Sequence, residues 1–326
     1  MAPQVQDPFD SSHSVLVGSN TWEYLRARPS GKPKGTVLLL HGFPDIPYGW
    51  RHQVPFFISL GYQVIAPYML GYGGTSSPSD VDSFSLKKQS DDLAALIDTI
   101  VPGEQVILGG HDWGAGLVWP FATYYPQLFK GIFSVTFAYL PPETKYVDIA
   151  DLVARGVPTT YKYRLQWREP AFDRTLRTAD DIRQFLLACY GAKTPDGRSG
   201  FTPDGINLDT LPHLRQPSLL SDEELEHHIK EFQRRGFRGP LNWYRTAKIN
   251  FEDELPIAQA GGNKFKMPVL FIQARNDPVL IPELSKGMDK YFDKLTRAEV
   301  NTGHWALIEG PSAVNKEIKD WLATFD

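Results

Sequence analysis

Three side chains capable of chemistry recur at positions where the chain must turn. Asp112 lies between the apolar run VILGGH and the small-residue stretch WGAG. Asp277 lies in QARNDPVLIP, directly after VLFI, and His304 lies in NTGHWALIEGP, before a helical pattern that closes the chain. The segment around Asp112 has the form small–x–nucleophile–x–small–small, the sharp turn that presents a nucleophile at the carboxyl end of a strand. A carboxylate in that place can attack an electrophilic carbon and become an ester. A histidine can then activate water against that ester, with a second acid orienting the imidazole. Each residue alone has a plainer use. Asp112 could cap the next helix, Asp277 could serve an Asp-Pro turn, and His304 could be a surface imidazole.

The order along the chain separates these readings. Nucleophile, acid and histidine follow one another with a long first interval, the order of an α/β hydrolase. A further piece, HGFP at His41–Pro44, follows the strand-like TVLLL. In such a fold a backbone N–H at this place joins the N–H after the nucleophile to form an oxyanion hole, which assigns the donors to Phe43 and Trp113. A simple strand exit is the alternative.

The elements that must position these residues are legible as short apolar runs: Thr36–His41, Gln63–Pro67, Gln105–His111, Gly131–Thr136 and Val269–Gln273. Runs of this kind suit strands buried on both faces. Helical patterns lie at Ser85–Val101 and Ala313–Phe325, so strand and helix alternate and the fold class is α/β with a mainly parallel sheet. From about Leu140 to Asn250 the alternation stops. Amphipathic stretches such as Thr178–Cys189 and Ser221–Phe232 stand there, with a Gly/Pro-rich loop at Thr194–Gly205 and no expected strand. The domains are therefore read as a core over 1–139 and 251–326, interrupted by a helical cap or lid over 140–250.

The chain resembles the α/β-hydrolase-fold epoxide hydrolases from about Val37 to Leu322. HGFPDIPYGWRHQVPFFISLGYQVIAPYMLGYGGTS, GHDWGA and GHWALIEGP are similar to that family's segments, as are YRLQWREP (163–170) and FRGPLNWYR (237–245) within the insertion. The resemblance implies hydrolysis of epoxides to vicinal diols through an alkyl ester on Asp112. It further implies that Tyr163 and Tyr244 are lid acids that activate the epoxide oxygen, and that His304 and Asp277 activate the hydrolytic water. Phe43, Trp113 and Trp243 would line the substrate pocket. Tyr68, in APYMLGYG, departs from the family, which usually has Asp there.

Aspartate suits this reaction where serine would not. Displacement at an epoxide carbon alkylates the nucleophile, and a serine would be left as an ether that water does not readily cleave. An un-ionised phenol can protonate the emerging alkoxide at neutral pH. Carboxylate, imidazole and phenols supply every step, so no cofactor and no metal is expected. The partners are a small lipophilic epoxide and water. Two other readings compete. A haloalkane dehalogenase shares the triad and the tryptophan after the nucleophile, but carries Asn where this chain has Phe43. A non-catalytic receptor of the same fold would have no need of an intact triad and two lid acids.

Composition narrows the setting. The 326 residues carry a net charge of −4, without the basic stripe of a nucleic-acid binder. A lone cysteine, Cys189, excludes an intramolecular disulfide and a thiolate zinc cluster, and suits a reducing, cytoplasmic compartment. Cys189 itself reads as a small hydrophobe. No apolar run is long enough for a membrane span, the leading residues do not read as a signal peptide, and the final ATFD is neither a peroxisomal nor a lipidation signal. A homodimer is possible. His227 and His228 are adjacent on an acidic helix, lack the i, i+4 spacing of a zinc pair, and read as a solvated face. LGYGGTSSPS reads as a loop rather than a nucleotide motif. The aromatic content, 13% with 14 Tyr and 8 Trp, calls for a ring-lined interior.

Overall fold

The computed structural model describes residues 7–157, 159–216 and 218–325. The first six residues of the leading segment read as no signal peptide, and the final Asp326, lie outside them.

The strands are β1 (Ser11–Val17), β2 (Asn20–Ala27), β3 (Thr36–Leu40), β4 (Gln63–Pro67), β5 (Val106–His111), β6 (Phe129–Val135), β7 (Phe201–Thr202), β8 (Gly205–Ile206), β9 (Phe265–Ala274) and β10 (Phe292–Val300). The main sheet has eight strands in the order β1-β2-β4-β3-β5-β6-β9-β10. β1 and β2 pair antiparallel, as do β2 and β4, and the rest is parallel. The fold is that of an α/β hydrolase.

Strand parity explains the continuous apolar runs. Val37 and Leu39 of β3 share one buried cluster with Phe57, Ile318 and Trp321, whereas Leu38 and Leu40 share another with Leu93, Leu117 and Phe121. Successive side chains of a strand face opposite sides, so a strand covered on both sides has no polar face to show. The first cluster is closed by α1 (Gln53–Ser59) and the C-terminal α11 (Pro311–Leu322). The second is closed by α2 (Leu86–Ile100) and α3 (Trp113–Tyr124). Ser85 caps α2 by accepting the Lys88 N–H, as its position before the apolar pattern anticipates.

The chain leaves the sheet after Val135 and rejoins it at Phe265. Between them lie α4 (Ile149–Ala154), α5 (Tyr163–Trp167), α6 (Ala179–Cys189), α7 (Asp222–Arg235), α8 (Arg238–Asn242) and α9 (Ala247–Gln259), and α10 (Ala306–Glu309) precedes α11. α6 and α7 each begin in a capping box, Thr178 with Asp181 and Ser221 with Glu224.

The expectation of no strand in this stretch is corrected by β7 and β8, a small antiparallel hairpin within and beside the Thr194–Gly205 loop. Two-residue strands carry no alternation to detect, but the hairpin has a use. Gln166 of α5 accepts from the Ile206 N–H and donates to its carbonyl, and the Tyr163 N–H donates to Pro203. The hairpin thereby holds the helix that carries Tyr163.

The solvated reading of the histidine pair is also corrected. His228 is fully buried and His227 is partly so. The buried face of α7 is Leu225, His228, Ile229 and Phe232, a helical stripe in which His228 replaces an apolar residue.

Among the described residues no helix is long and apolar enough to cross a membrane.

Candidate active site

Because β3, β5, β9 and β10 run parallel, their carboxyl ends open on one edge of the sheet, where α/β folds place their sites. His41–Phe43 follow β3, Asp112 follows β5, Asp277 follows β9 and His304 follows β10.

Asp112 occupies the turn between β5 and α3 at φ 52° and ψ −123°, a strained backbone for a residue with a Cβ. The turn is possible because the neighbouring backbones nearly touch. A Cβ on Gly114 would lie 2.1 Å from the Leu40 carbonyl oxygen, and one on Gly42 would lie 2.4 Å from Oδ1 of Asp112. Although Asp112 precedes a helix, its side chain makes no capping bond. Its Oδ1 instead accepts the Phe43 N–H at 2.8 Å, and the group is 8% exposed. Among the described residues the Phe43 N–H is the backbone donor that reaches this carboxylate. The Trp113 N–H starts α3 beside it.

His304 Nδ1–H donates to Oδ2 of Asp277 at 2.7 Å, and its Nε2 faces Oδ2 of Asp112 at 3.6 Å. The other oxygen of Asp277 accepts the Val279 and Leu280 N–H groups at 2.8 and 2.9 Å. Burial opposes the charged imidazolium, but Asp277 and then Asp112 outweigh it and raise His304 to about 9. Burial likewise opposes charge on Asp277, and the imidazole with the two N–H donors brings its carboxyl below the usual range.

Two residues that the motifs did not reveal hold the histidine loop. Glu309 accepts the Gly303 N–H at 2.8 Å and the Trp305 N–H at 2.9 Å, so it clamps the backbone on both sides of His304. The buried His111 donates from Nε2 to the His304 carbonyl at 2.8 Å. Both lie within quoted motifs, GHWALIEGP and GHDWGA, but nothing in either string distinguishes a clamp from a spacer.

Tyr163 and Tyr244 each are 5% exposed and their rings meet edge to face at 6.0 Å. Tyr244, in a short 3-10 turn (Trp243–Arg245), is fixed by edge contacts to Phe43, Trp113 and Trp167 at 5.3, 5.2 and 5.1 Å. Aromatic pairs of this geometry contribute about 0.5–1.5 kcal/mol each beyond burial. Burial raises the phenols of both tyrosines above the ordinary value, so both are un-ionised donors at neutral pH.

A cavity of about 680 Å³ brings Asp112, His304, Tyr163, Tyr244 and Phe43 together on its wall. Trp113 and Trp243, read as pocket residues, stand outside it. Trp113 packs behind Tyr244, and the Trp243 indole N–H is tied to the Leu70 carbonyl, which turns that ring into the core. Cys189 joins the cavity wall, where burial raises its thiol well above its ordinary value and leaves it a poor nucleophile. Tyr68 is buried at the end of β4, with the Arg234 guanidinium 5.7 Å from its ring centre. No group of three His, Cys, Asp or Glu among the described residues is placed to hold a metal.

This arrangement can place a carboxylate against an electrophilic carbon, phenols above it and an imidazole beside it. Comparison with known proteins points the same way. Residues 35–311 match the alpha/beta hydrolase fold family. The chain is 41% identical to "Epoxide hydrolase srdG" of Neurospora crassa over the full length of both. It is 32% identical to "Epoxide hydrolase A" of Mycobacterium tuberculosis, covering 91% of this chain and 94% of that one. Among solved structures, a laboratory-evolved variant of potato epoxide hydrolase is similar with a TM-score of 0.81 at 25% identity, covering 96% of this chain and 99% of that one.

Proposed function

Since the chain belongs to the α/β-hydrolase fold family and is an epoxide hydrolase within it, we propose that it converts epoxides to vicinal diols through an ester on Asp112. The observation that carries this reading is the convergence of one carboxylate, one Asp-bound imidazole and two un-ionised phenols on a single apolar cavity. Residues 140–250 serve as the cap that brings the phenols over the sheet.

In the first step a carboxylate oxygen of Asp112 attacks an epoxide carbon and the ring C–O bond breaks. The departing oxygen takes a proton from Tyr163 or Tyr244, giving a hydroxyalkyl ester and a phenolate. The imidazolium of His304, charged at neutral pH because its pKa stands at about 9, returns a proton to that phenolate. The imidazole is then neutral and able to act as base.

In the second step His304 takes a proton from water, whose oxygen adds to the ester carbonyl. The oxyanion is met by the Phe43 N–H and by that of Trp113. Collapse cleaves the ester C–O bond, the leaving oxygen takes the proton from His304, and the diol departs. The Asp112 carboxyl then protonates His304, which restores the starting ion pair. The reading needs only an epoxide and water as partners, and no cofactor. The lone cysteine supports a cytoplasmic setting.

A single turnover in heavy-oxygen water tests the scheme. The label should enter the Asp112 carboxylate, whereas direct attack of water on the epoxide would place it in the diol. Styrene oxide, trans-stilbene oxide and fatty-acid epoxides form a suitable substrate panel.

A further inference from the structure

Arg164 directly follows Tyr163 on α5 and has no counterpart in the scheme above. Its Nε is buried without a hydrogen-bond partner, and no carboxylate among the described residues forms an ion pair with it. Its guanidinium lies instead among rings, 4.2 Å from the centre of Tyr161, 5.2 Å from Trp113 and 6.0 Å from Tyr163. The Tyr161 hydroxyl beside it is buried and unpartnered as well. Three other arginines of the cap that are at most half-exposed do face acids: Arg168 with Asp148, Arg183 with Glu226 and Arg245 with Asp173. A cation withdrawn from water without an acid to face is costly in the resting state. Such a placement is useful if negative charge arrives nearby during turnover.

Ring opening delivers that charge. Before attack the negative charge sits on Asp112. Once the ester forms and the alkoxide has taken a phenolic proton, the charge sits on a lid tyrosine. We propose that Arg164 is a positioning residue for the alkylation step, a fixed positive charge that orients the Tyr163 hydroxyl and stabilises the phenolate character it gains as the epoxide opens. The inference rests on the reading of Tyr163 as an acid.

Two further observations agree with it. Burial raises the Tyr163 phenol, and Arg164 is the chief influence opposing that rise. The cation–π contact to Trp113 places the guanidinium against the residue that follows the nucleophile, so the positive charge stays near the reacting atoms. A pre-oriented charge in a site poor in water acts without reorganisation at the moment of reaction.

The test is a double-mutant cycle on the full chain with trans-stilbene oxide, measuring single-turnover rates of ester formation and ester hydrolysis separately. Arg164→Met should slow ester formation by about tenfold, short of the roughly hundredfold that loss of a direct donor costs. Hydrolysis of the ester should be unchanged. Arg164→Lys should restore most of the rate, because a point charge suffices where no bidentate partner exists. Arg164→Gln serves in place of the Met variant should the latter not fold. In a Tyr163→Phe background, Arg164→Met should add no further loss.

Equal losses from Arg164→Met in both backgrounds would overturn the inference. So would a rise in KM with the rate of ester formation intact. Should Tyr163→Phe slow ester formation while Arg164→Met leaves it unaltered, Arg164 has no such role and Tyr163 keeps its own. Should Tyr163→Phe leave ester formation intact, the acid role of Tyr163 fails and takes this inference with it.

Discussion

Nε2 of His304 stands 3.6 Å from Oδ2 of Asp112, too far for a hydrogen bond and close enough for an ion pair. In the proposed scheme an imidazole in contact with Asp112 before attack is placed to serve the ester after attack. Replacing it should separate the two half-reactions. His304→Gln is expected to form the ester and stop. A mass spectrum of the variant after mixing with an epoxide should show Asp112 carrying the added mass of one substrate, with turnover lost. An unmodified protein would contradict the two-step scheme.

The same contact predicts how His304 titrates. Its folded value, about 9, lies above the unfolded value of about 6.5, so the interaction stabilises the fold fully below pH 6.5 and is lost as the pH rises through 9. Asp277 contributes more to the rise than Asp112. Imidazole titration by NMR should therefore give the highest value in the parent protein, a lower one in Asp112→Asn, and the lowest in Asp277→Asn. Because the ester also removes the Asp112 charge, the acid limb for ester hydrolysis should fall below pH 9. A parent value near 6.5 would remove the basis for the proton return from His304 to the phenolate.

Tyr163 and Tyr244 share one cavity wall with Asp112, and in the proposed scheme each donates to the epoxide oxygen. Loss of one should leave the other in place. Tyr163→Phe or Tyr244→Phe should slow ester formation by about a hundredfold, the lower bound for loss of a general acid, and the double variant should nearly abolish it. Rapid-quench measurement of ester formation checks this directly. An unchanged rate in the double variant would refute both roles.

What the sequence disclosed and what it withheld follow from how each signal arises. β3, β4, β5, β6 and β9 are buried on both faces and appear as apolar runs. β1 is largely exposed, and most of β10, at the far edge, is exposed as well, so neither stands out from loop composition. Asp112, Asp277 and His304 were legible because each sits in a motif and their order is constrained. The acidic neighbours of His228 suggest a solvated face, although its position on the Leu225–Ile229–Phe232 stripe marks it as inward-facing. Glu309 acts through backbone N–H groups, and no local pattern encodes such pairings.

Glu309 offers a test of how the histidine loop is held. With both carboxylate oxygens engaged by the N–H groups of Gly303 and Trp305, it fixes the backbone that aims His304. Glu309→Ala should lower the rate of ester hydrolysis by about tenfold or more through misplacement of the imidazole. Ester formation, which depends on Asp112 and the tyrosines, should change far less. Glu309→Gln keeps an acceptor for only one of the two N–H groups and should fall between. Equal slowing of both steps in Glu309→Ala would point instead to general disruption of the site.

The helical insertion and the HGFP loop meet where His228 of α7 faces Asp45, just beyond Phe43 and Pro44. His228 Nδ1–H donates to the Glu224 carbonyl at 2.8 Å, and Nε2 lies 3.4 Å from Oδ1 of Asp45, which also accepts the Tyr190 hydroxyl at 3.2 Å. Burial alone would raise the Asp45 carboxyl, but His228 and the other groups around it bring it below the usual range. Removing a partner from a buried carboxylate leaves it short of an interaction, at a cost of about 1–3 kcal/mol. His228→Ala should therefore lower the unfolding free energy at pH 7 by about 2 kcal/mol, measured by urea titration. A depressed carboxyl stabilises the fold above its unfolded value and loses that contribution as the pH falls, so the deficit should narrow below about pH 4. His228→Ala should also weaken catalysis, because the loop carrying the Phe43 N–H loses its anchor to the cap. A variant as stable as the parent at pH 7 would show that this buried contact does not tie the cap to the core.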